Sequence, residues 1–299
     1  MKPALSRRAA LRHTAATVAL GALASRLTRT DALAAPLKNR VNHSVCKWCY
    51  GKMPLEEFCQ AAKQIGLQSV ELLQPADFPT LTKHGLTCAM VSNPTGKTSQ
   101  GVSVGGIPKA FNRLEHHETL AQIYEPQIKA VAEAGMTNLI CFSGNREGLD
   151  DEKGIENCAL GLKRIMPIAE KHKVTICMEL LNSKVNHKDY QCDHTEWGVA
   201  LCKAVGSERF KLLYDIYHMQ IMEGDVIATI KKHKDYLAHY HTGGVPGRAE
   251  IDETQELYYP AIMKAIVETG FKGFVAQEFI PKRKDAIASL KQGVEICDV

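Results

Sequence analysis

The 299-residue sequence has no Gly-rich turn after its first strand-like run, no linker and no low-complexity stretch. The missing turn removes the usual cradle for a dinucleotide pyrophosphate. Uniform composition without a linker points to one large domain. Hydrophobic residues make up 45% and charged residues 23%, ordinary values for a chain that buries a core without disulfides or structural metal. The N-terminal apolar stretch, roughly residues 13–25, is too short to span a bilayer comfortably. A strong charge bias is also missing, although this shows only after the N-terminus has been read.

Ser6-Arg7-Arg8 opens a basic, Ala-rich segment, and Ala32-Leu33-Ala34 places small residues at signal-peptidase spacing. The segment resembles a twin-arginine leader, with Ala10 where an aromatic is common. Residues 1–34 are therefore expected to be a signal peptide cleaved after Ala34, handled by the twin-arginine export machinery. The expected location is periplasmic, or membrane-anchored if the leader stays uncleaved. Lys2, Arg7, Arg8, Arg12, Arg26 and Arg29 leave with it, against Asp31 alone. The remaining 31 basic and 32 acidic residues nearly balance, so nothing resembles a phosphate-binding footprint and no nucleic-acid partner is expected.

Ten cysteines in an exported chain would suit a disulfide framework, but Cys88, Cys141 and Cys177 sit in apolar strand-like runs, where cysteine acts as a small hydrophobe. Cys46-Lys47-Trp48-Cys49 has redox-motif spacing without a thioredoxin-like surround. On a strand, Cys46 and Cys49 would point to opposite faces.

Eight apolar, β-rich runs cover residues 42–48, 69–73, 86–91, 138–142, 174–179, 210–215, 237–241 and 273–279. Helical patterns lie between them, at 54–64, 120–134, 155–172, 195–204, 225–233, 259–269 and 284–296. Alternating strands and helices allow a doubly wound sheet or a closed barrel. Eight strands in about 265 residues favour a single (β/α)8 TIM barrel over 35–299. The Gly-, Ser- and Lys-rich loop 93–114 is expected to cover the site. His116-His117, at a helix start, reads as solvated, and Lys231-Lys232-His233-Lys234 as an exposed helix end. Apolar faces on the shorter helices suggest a homo-oligomer.

Such barrels build their sites at the C-terminal ends of their strands. The fifth run ends in Glu179, the sixth in Asp215, the seventh in His241 and the eighth in Glu278. A lone acid after a strand is often a helix cap, but four consecutive ends delivering carboxylate or imidazole to one rim point to a shared metal. Three carboxylates and one imidazole suit a single divalent ion, Mn2+ or Mg2+ first, with Co2+ or Zn2+ acceptable.

Met178-Glu179-Leu180-Leu181-Asn182, Tyr214-Asp215-Ile216-Tyr217-His218-Met219-Gln220, Val245-Pro246-Gly247-Arg248 and Gln277-Glu278-Phe279 resemble the xylose-isomerase-like barrels. The second and third segments are most similar to the hydroxypyruvate-isomerase branch. That resemblance implies a metal held by Glu179, Asp215, His241 and Glu278, with Glu179 and Glu278 as the acid–base pair. It also implies substrate contacts from His218 and Arg248. The chain departs from that branch at His241, where the branch tends to carry Gln and the epimerases His, so the substrate stays open. Further substrate-facing candidates are Glu71 at the end of the second run, Asn182 and His187 after the fifth, and Trp48 for a sugar face.

The expected reaction is isomerisation or epimerisation of a small keto acid or sugar through an enediolate, with a carboxylate removing the carbon-bound proton. A lyase or dehydratase acting on a keto-sugar shares the first step. A non-catalytic sugar-binding protein would not need both glutamates. A repair nuclease of the three-zinc type needs more ligands than strands one, three and four provide.

Overall fold

Runs rich in Val, Ile, Leu and Cys pair as parallel strands around a ring in the computed structural model, which describes residues 37–299. The expected leader, 1–34, lies outside the described residues. The first elements are β1 (Asn42–Cys46), α1 (Leu55–Ile65), β2 (Ser69–Glu71) and α2 (Phe78–Lys83). A hairpin of β3 (Gly96–Lys97) and β4 (Ser103–Val104) follows, then α3 (His117–Glu133), β5 (Asn138–Cys141) and α4 (Asp151–His172). The chain continues through β6 (Thr175–Glu179), α5 (Thr195–Val205), β7 (Phe210–Asp215), α6 (Ile216–Met222) and α7 (Val226–His233). It ends with β8 (Leu237–Thr242), α8 (Tyr259–Glu268), β9 (Phe274–Gln277) and α9 (Ala286–Cys297).

The parallel sheet runs β2-β1-β9-β8-β7-β6-β5. Residues 87–92 close it into a barrel. The Val70 and Leu72 N–H groups donate to the Thr87 and Met90 carbonyls on one side, and Val91 exchanges bonds with Asn138 and Ile140 on the other. This is the third run expected at 86–91, but it is irregular and forms no continuous strand. Side chains replace ladder partners in its middle: Ser69 Oγ accepts the Ala89 N–H at 2.8 Å, and Asn138 Nδ2 donates to the Ala89 carbonyl at 2.9 Å. The strands are buried on both faces, as parallel strands under a helical layer must be.

The helices differ from expectation at their starts. α4 begins four residues early because Asp150 caps it, accepting the Lys153 N–H at 2.8 Å. The short α2 and α6 were not anticipated; α6 starts where Asp215, the last residue of β7, also serves as N-cap. The ten cysteines are free, and all but Cys49 are buried.

His116 and His117 are buried, which corrects their reading as solvated residues. His116 Nδ1 lies 3.0 Å from the Ala110 carbonyl and His117 Nε2 lies 2.8 Å from that of Phe111. These bonds satisfy the ring nitrogens that solvent would otherwise serve. His233 is likewise buried against Glu196, while the neighbouring lysines are exposed.

The His117 ring packs on α4 where that helix carries Gly161. A Cβ there would come within 2.7 Å of the ring. Gly161→Ala should therefore destabilise the barrel by about 1–2 kcal/mol, the overpacking cost outweighing the better helix propensity of Ala. Urea melts of the two proteins check this; equal midpoints would show that the ring moves aside freely.

Candidate active site

Each strand end delivers its side chain to the same rim because side chains on parallel neighbours in register share a face. Glu179 and Asp215 close β6 and β7, His241 sits one residue before the end of β8, and Glu278 follows β9. His241 is in register with Asp215 on one side and Ala276 on the other. One ligand atom from each of Glu179, Asp215, His241 and Glu278 lies within 4.8 Å of all the others, and all four residues are buried.

Three carboxylates gathered out of water are unfavourable unless positive charge joins them. Arg248 supplies part of it. Nη2 contacts Asp215 Oδ2 at 3.0 Å and also Glu278, Nε donates to the Glu278 carbonyl, and Nη1 lies 3.0 Å from His218 Nε2. The guanidinium is stacked between Trp48 and Tyr217, 5.3 Å from each ring centre. Its backbone is left-handed, φ +54°, and is tied down by bonds to Gly244 and Ile280. The fork expected to engage substrate is thus engaged by the protein's own carboxylates.

Positive charge is still short, and two buried atoms of this cluster, Glu179 Oε1 and His241 Nδ1, have no hydrogen-bond partner among the described residues. His241 Nδ1 is 2.7 Å from Glu278 Oε2 and 3.4 Å from Glu179 Oε1, without hydrogen-bond alignment to either. Its other nitrogen, Nε2, is 2.9 Å from Glu71 Oε1. A proton on Nε2, held by Glu71, leaves the Nδ1 lone pair facing the carboxylates, the carboxylate–histidine arrangement that prepares an imidazole for a metal. The four donors fit one divalent ion, and hard oxygen ligands in the majority suit Mn2+ or Mg2+.

Glu71 therefore does not face substrate as expected. It is fully buried beneath the rim, between His239 Nε2 at 2.8 Å, His241 Nε2 and the Ser44 hydroxyl. Burial opposes its ionisation, but the two histidines outweigh this and bring its pKa down to about 2. Glu71→Gln should weaken divalent-ion affinity by about 10–100-fold while the four ligands stay in place. Titration of the apo protein with Mn2+, followed by electron paramagnetic resonance, checks it; unchanged affinity would leave Glu71 a packing residue.

Asn182 and His218 are also fully buried and lie behind the cleft surface. Asn182 Oδ1 accepts the Val185 and Asn186 N–H groups, and its own backbone N–H donates to His218 Nδ1. The pair shapes the loop after β6 and backs Arg248. His187 does line the cleft, its ring tilted against that of His218 with centroids 5.3 Å apart. So does Trp48, with a second task that the sequence did not suggest: its indole N–H donates to Glu278 Oε1 at 2.8 Å.

The electrostatics of the two glutamates differ. Burial raises Glu179, and the neighbouring Glu278 carboxylate adds to that. Burial also opposes the ionised form of Glu278, but Arg248, His241 and the Trp48 N–H outweigh it and hold the carboxyl well below the usual range. Asp215 is pushed up to about 8 by burial, which the Arg248 guanidinium only partly offsets.

Above the cluster is a cleft of about 320 Å³ with Glu179, Glu278, Arg248, His187 and Trp48 in its lining. Asn93 and Ile107 of the loop expected to cover the site form part of its wall.

The profile of the family described as "Xylose isomerase-like TIM barrel" matches residues 59–297. The chain belongs to that family. Among its relatives is the putative hydroxypyruvate isomerase of Homo sapiens, 24% identical over 267 residues, covering 86% of this chain and 94% of the relative. The hydroxypyruvate isomerase of Escherichia coli is 25% identical over 234 residues, 75% of this chain and 86% of the relative. A solved structure of an AP endonuclease, family 2, from Brucella melitensis superposes with a TM-score of 0.71 at 25% identity, covering 84% of this chain and 97% of that one. The family description agrees with the closed barrel rather than an open doubly wound sheet.

Proposed function

We propose that this barrel is an isomerase or epimerase that moves a proton beside the carbonyl of a small sugar or keto acid, using one divalent ion held by Glu179, Asp215, His241 and Glu278. The observation that carries this reading is the buried four-donor cluster with Glu179 Oε1 and His241 Nδ1 unpartnered at the cleft. The isomerase names of the relatives support it. A bound divalent ion would supply positive charge to oppose the negative charge that develops on the substrate oxygens.

The chain's own residues account for the proton. Glu278, kept ionised by Arg248, His241 and Trp48, is suited to take the carbon-bound proton, leaving an enediolate. Glu179, whose carboxyl is raised by burial and by the neighbouring Glu278 charge, is suited to return one at the neighbouring carbon or the opposite face. Environments that push two carboxyls apart in this way are the usual basis for dividing acid and base roles. Arg248 and Trp48 hold Glu278 in place, and His187 offers a hydrogen-bonding edge to substrate oxygen. Export to the periplasm through the twin-arginine route belongs to this reading, supported by Ser6-Arg7-Arg8 and Ala32-Leu33-Ala34.

Proton exchange in D2O tests the proposal. Protein loaded with Mg2+ should incorporate deuterium beside the carbonyl of a keto acid or keto-sugar, and removing the ion should stop it. Product analysis then separates isomerisation from loss of a β-substituent. No exchange despite one bound ion per chain would overturn the reading.

A further inference from the structure

The lining of the cleft is divided by barrel order. The acids and Arg248 come from the arc β6 to β9. The remaining arc, from β2 through residues 87–92 to the loop after β6, contributes Leu72, Ile107, Ile140, Phe142 and Leu181, with Ser92, Asn93 and His187 as its polar members. Leu72 holds a left-handed backbone, φ +57°, a conformation that costs an aliphatic residue energy and that gathers at ligand clamps. An apolar wall of this extent has nothing to offer a three-carbon keto acid, whose every carbon bears oxygen. The volume of about 320 Å³ also lies within the range of roughly 300–1,000 Å³ that takes larger small molecules.

Charge points the same way. A substrate carboxylate needs a cation or a set of free donors. Among the described residues no lysine lines the cleft, and Arg248 is its one arginine. All three of that residue's guanidinium nitrogens already face Asp215, Glu278 or His218.

We infer that the cleft prefers an uncharged keto-sugar carrying an apolar substituent, its carbonyl end at the acidic arc and its substituent on the apolar arc, over the free keto acid named for the relatives. The inference rests on the proton-transfer reading for the orientation of the substrate, and on the wall and the engaged guanidinium for the preference.

Calorimetric titration of the full chain loaded with Mg2+ tests it, using hydroxypyruvate and the phenyl and methyl glycosides of one keto-sugar as probes. The phenyl glycoside should bind at least tenfold more tightly than the methyl one, and hydroxypyruvate more weakly than both. Ile107→Ser, a change at a half-buried loop residue, should cut the phenyl-to-methyl ratio at least fivefold. Equal binding of the two glycosides, tightest binding of hydroxypyruvate, no binding of any probe, or a ratio unmoved by Ile107→Ser would each overturn the preference. Deuterium exchange in the same samples separates the two claims. Exchange confined to hydroxypyruvate keeps the reaction and removes the substrate preference. Phenyl preference without exchange keeps the preference and removes the reaction.

Discussion

Glu278→Gln is expected to reduce deuterium exchange by about 10²–10⁴-fold, the range for losing a positioned general base, and to leave the fold intact. The substitution keeps shape but removes the charge. The Trp48 indole, donating to Oε1 at 2.8 Å, would hold the new amide oxygen where the carboxylate oxygen was. That turns the amide NH2 toward Arg248 and His241, which now face a donor in place of an anion. The variant therefore loses both the proton acceptor and a partner for the guanidinium, while its position after β9 and the bonds of Thr242 and Gln277 beneath it are unchanged. Exchange rates, a thermal melt and ion content measured together check this. A variant keeping more than a tenth of the wild-type rate would remove Glu278 as the base. A collapsed melt would show that the residue holds the barrel together instead.

Asp215→Asn and Asp215→Ala should separate two jobs performed by one side chain. Oδ1 accepts the His218 N–H at 3.1 Å and caps α6, while Oδ2 faces Arg248 at 3.0 Å and the other donors. Asparagine is a good helix cap, so Asp215→Asn should lose divalent-ion affinity with little loss of stability. The alanine variant should lose the same affinity and about 1 kcal/mol besides. Losing a charged donor should cost more ion affinity than the roughly 10–100-fold expected for a residue that only orients one. Ion titration of both variants, with urea melts alongside, gives the comparison; wild-type ion affinity in either would exclude Asp215 as a ligand.

The pH dependence of ion uptake follows from the same residue. In the ion-free protein, burial pushes the Asp215 carboxyl up to about 8 despite Arg248. At neutral pH it carries a proton that an arriving cation must displace. Ion affinity should accordingly rise with pH until about 8 and then flatten, with proton release falling away above that value. Calorimetry in two buffers of different ionisation enthalpy measures the release, which Asp215→Asn should reduce.

Much of the site was legible because the strands are short and their ends are marked. Glu179 and Asp215 close β-rich runs directly, and His241 and Glu278 lie within one residue of an end, so barrel geometry alone brings them to one rim. What lies around them was hidden for identifiable reasons. Glu71 and His241 are 170 positions apart, and no local pattern pairs them. Trp48 follows β1 and Glu278 follows β9, strands that meet only when the ring closes. His116 and His117 look polar in the sequence, and only the Ala110 and Phe111 carbonyls inside the fold make their burial acceptable. The run at 86–91 reads as a strand like the others, but its middle is bonded to the side chains of Ser69 and Asn138, contributed by its two neighbours in the barrel.

The sequence by itself determined the alternation of strand and helix and the four donors at successive strand ends, since each is a local pattern repeated along the chain. Only the tertiary structure decided which side chains line the cleft and which lie behind the four clustered donors. Arg248 turned out to be engaged by Asp215 and Glu278, Glu71 to lie beneath His241, and one arc of the cleft to be apolar. Those assignments depend on contacts between residues distant in sequence, where burial, charge balance and hydrogen-bond satisfaction are settled among several strands at once.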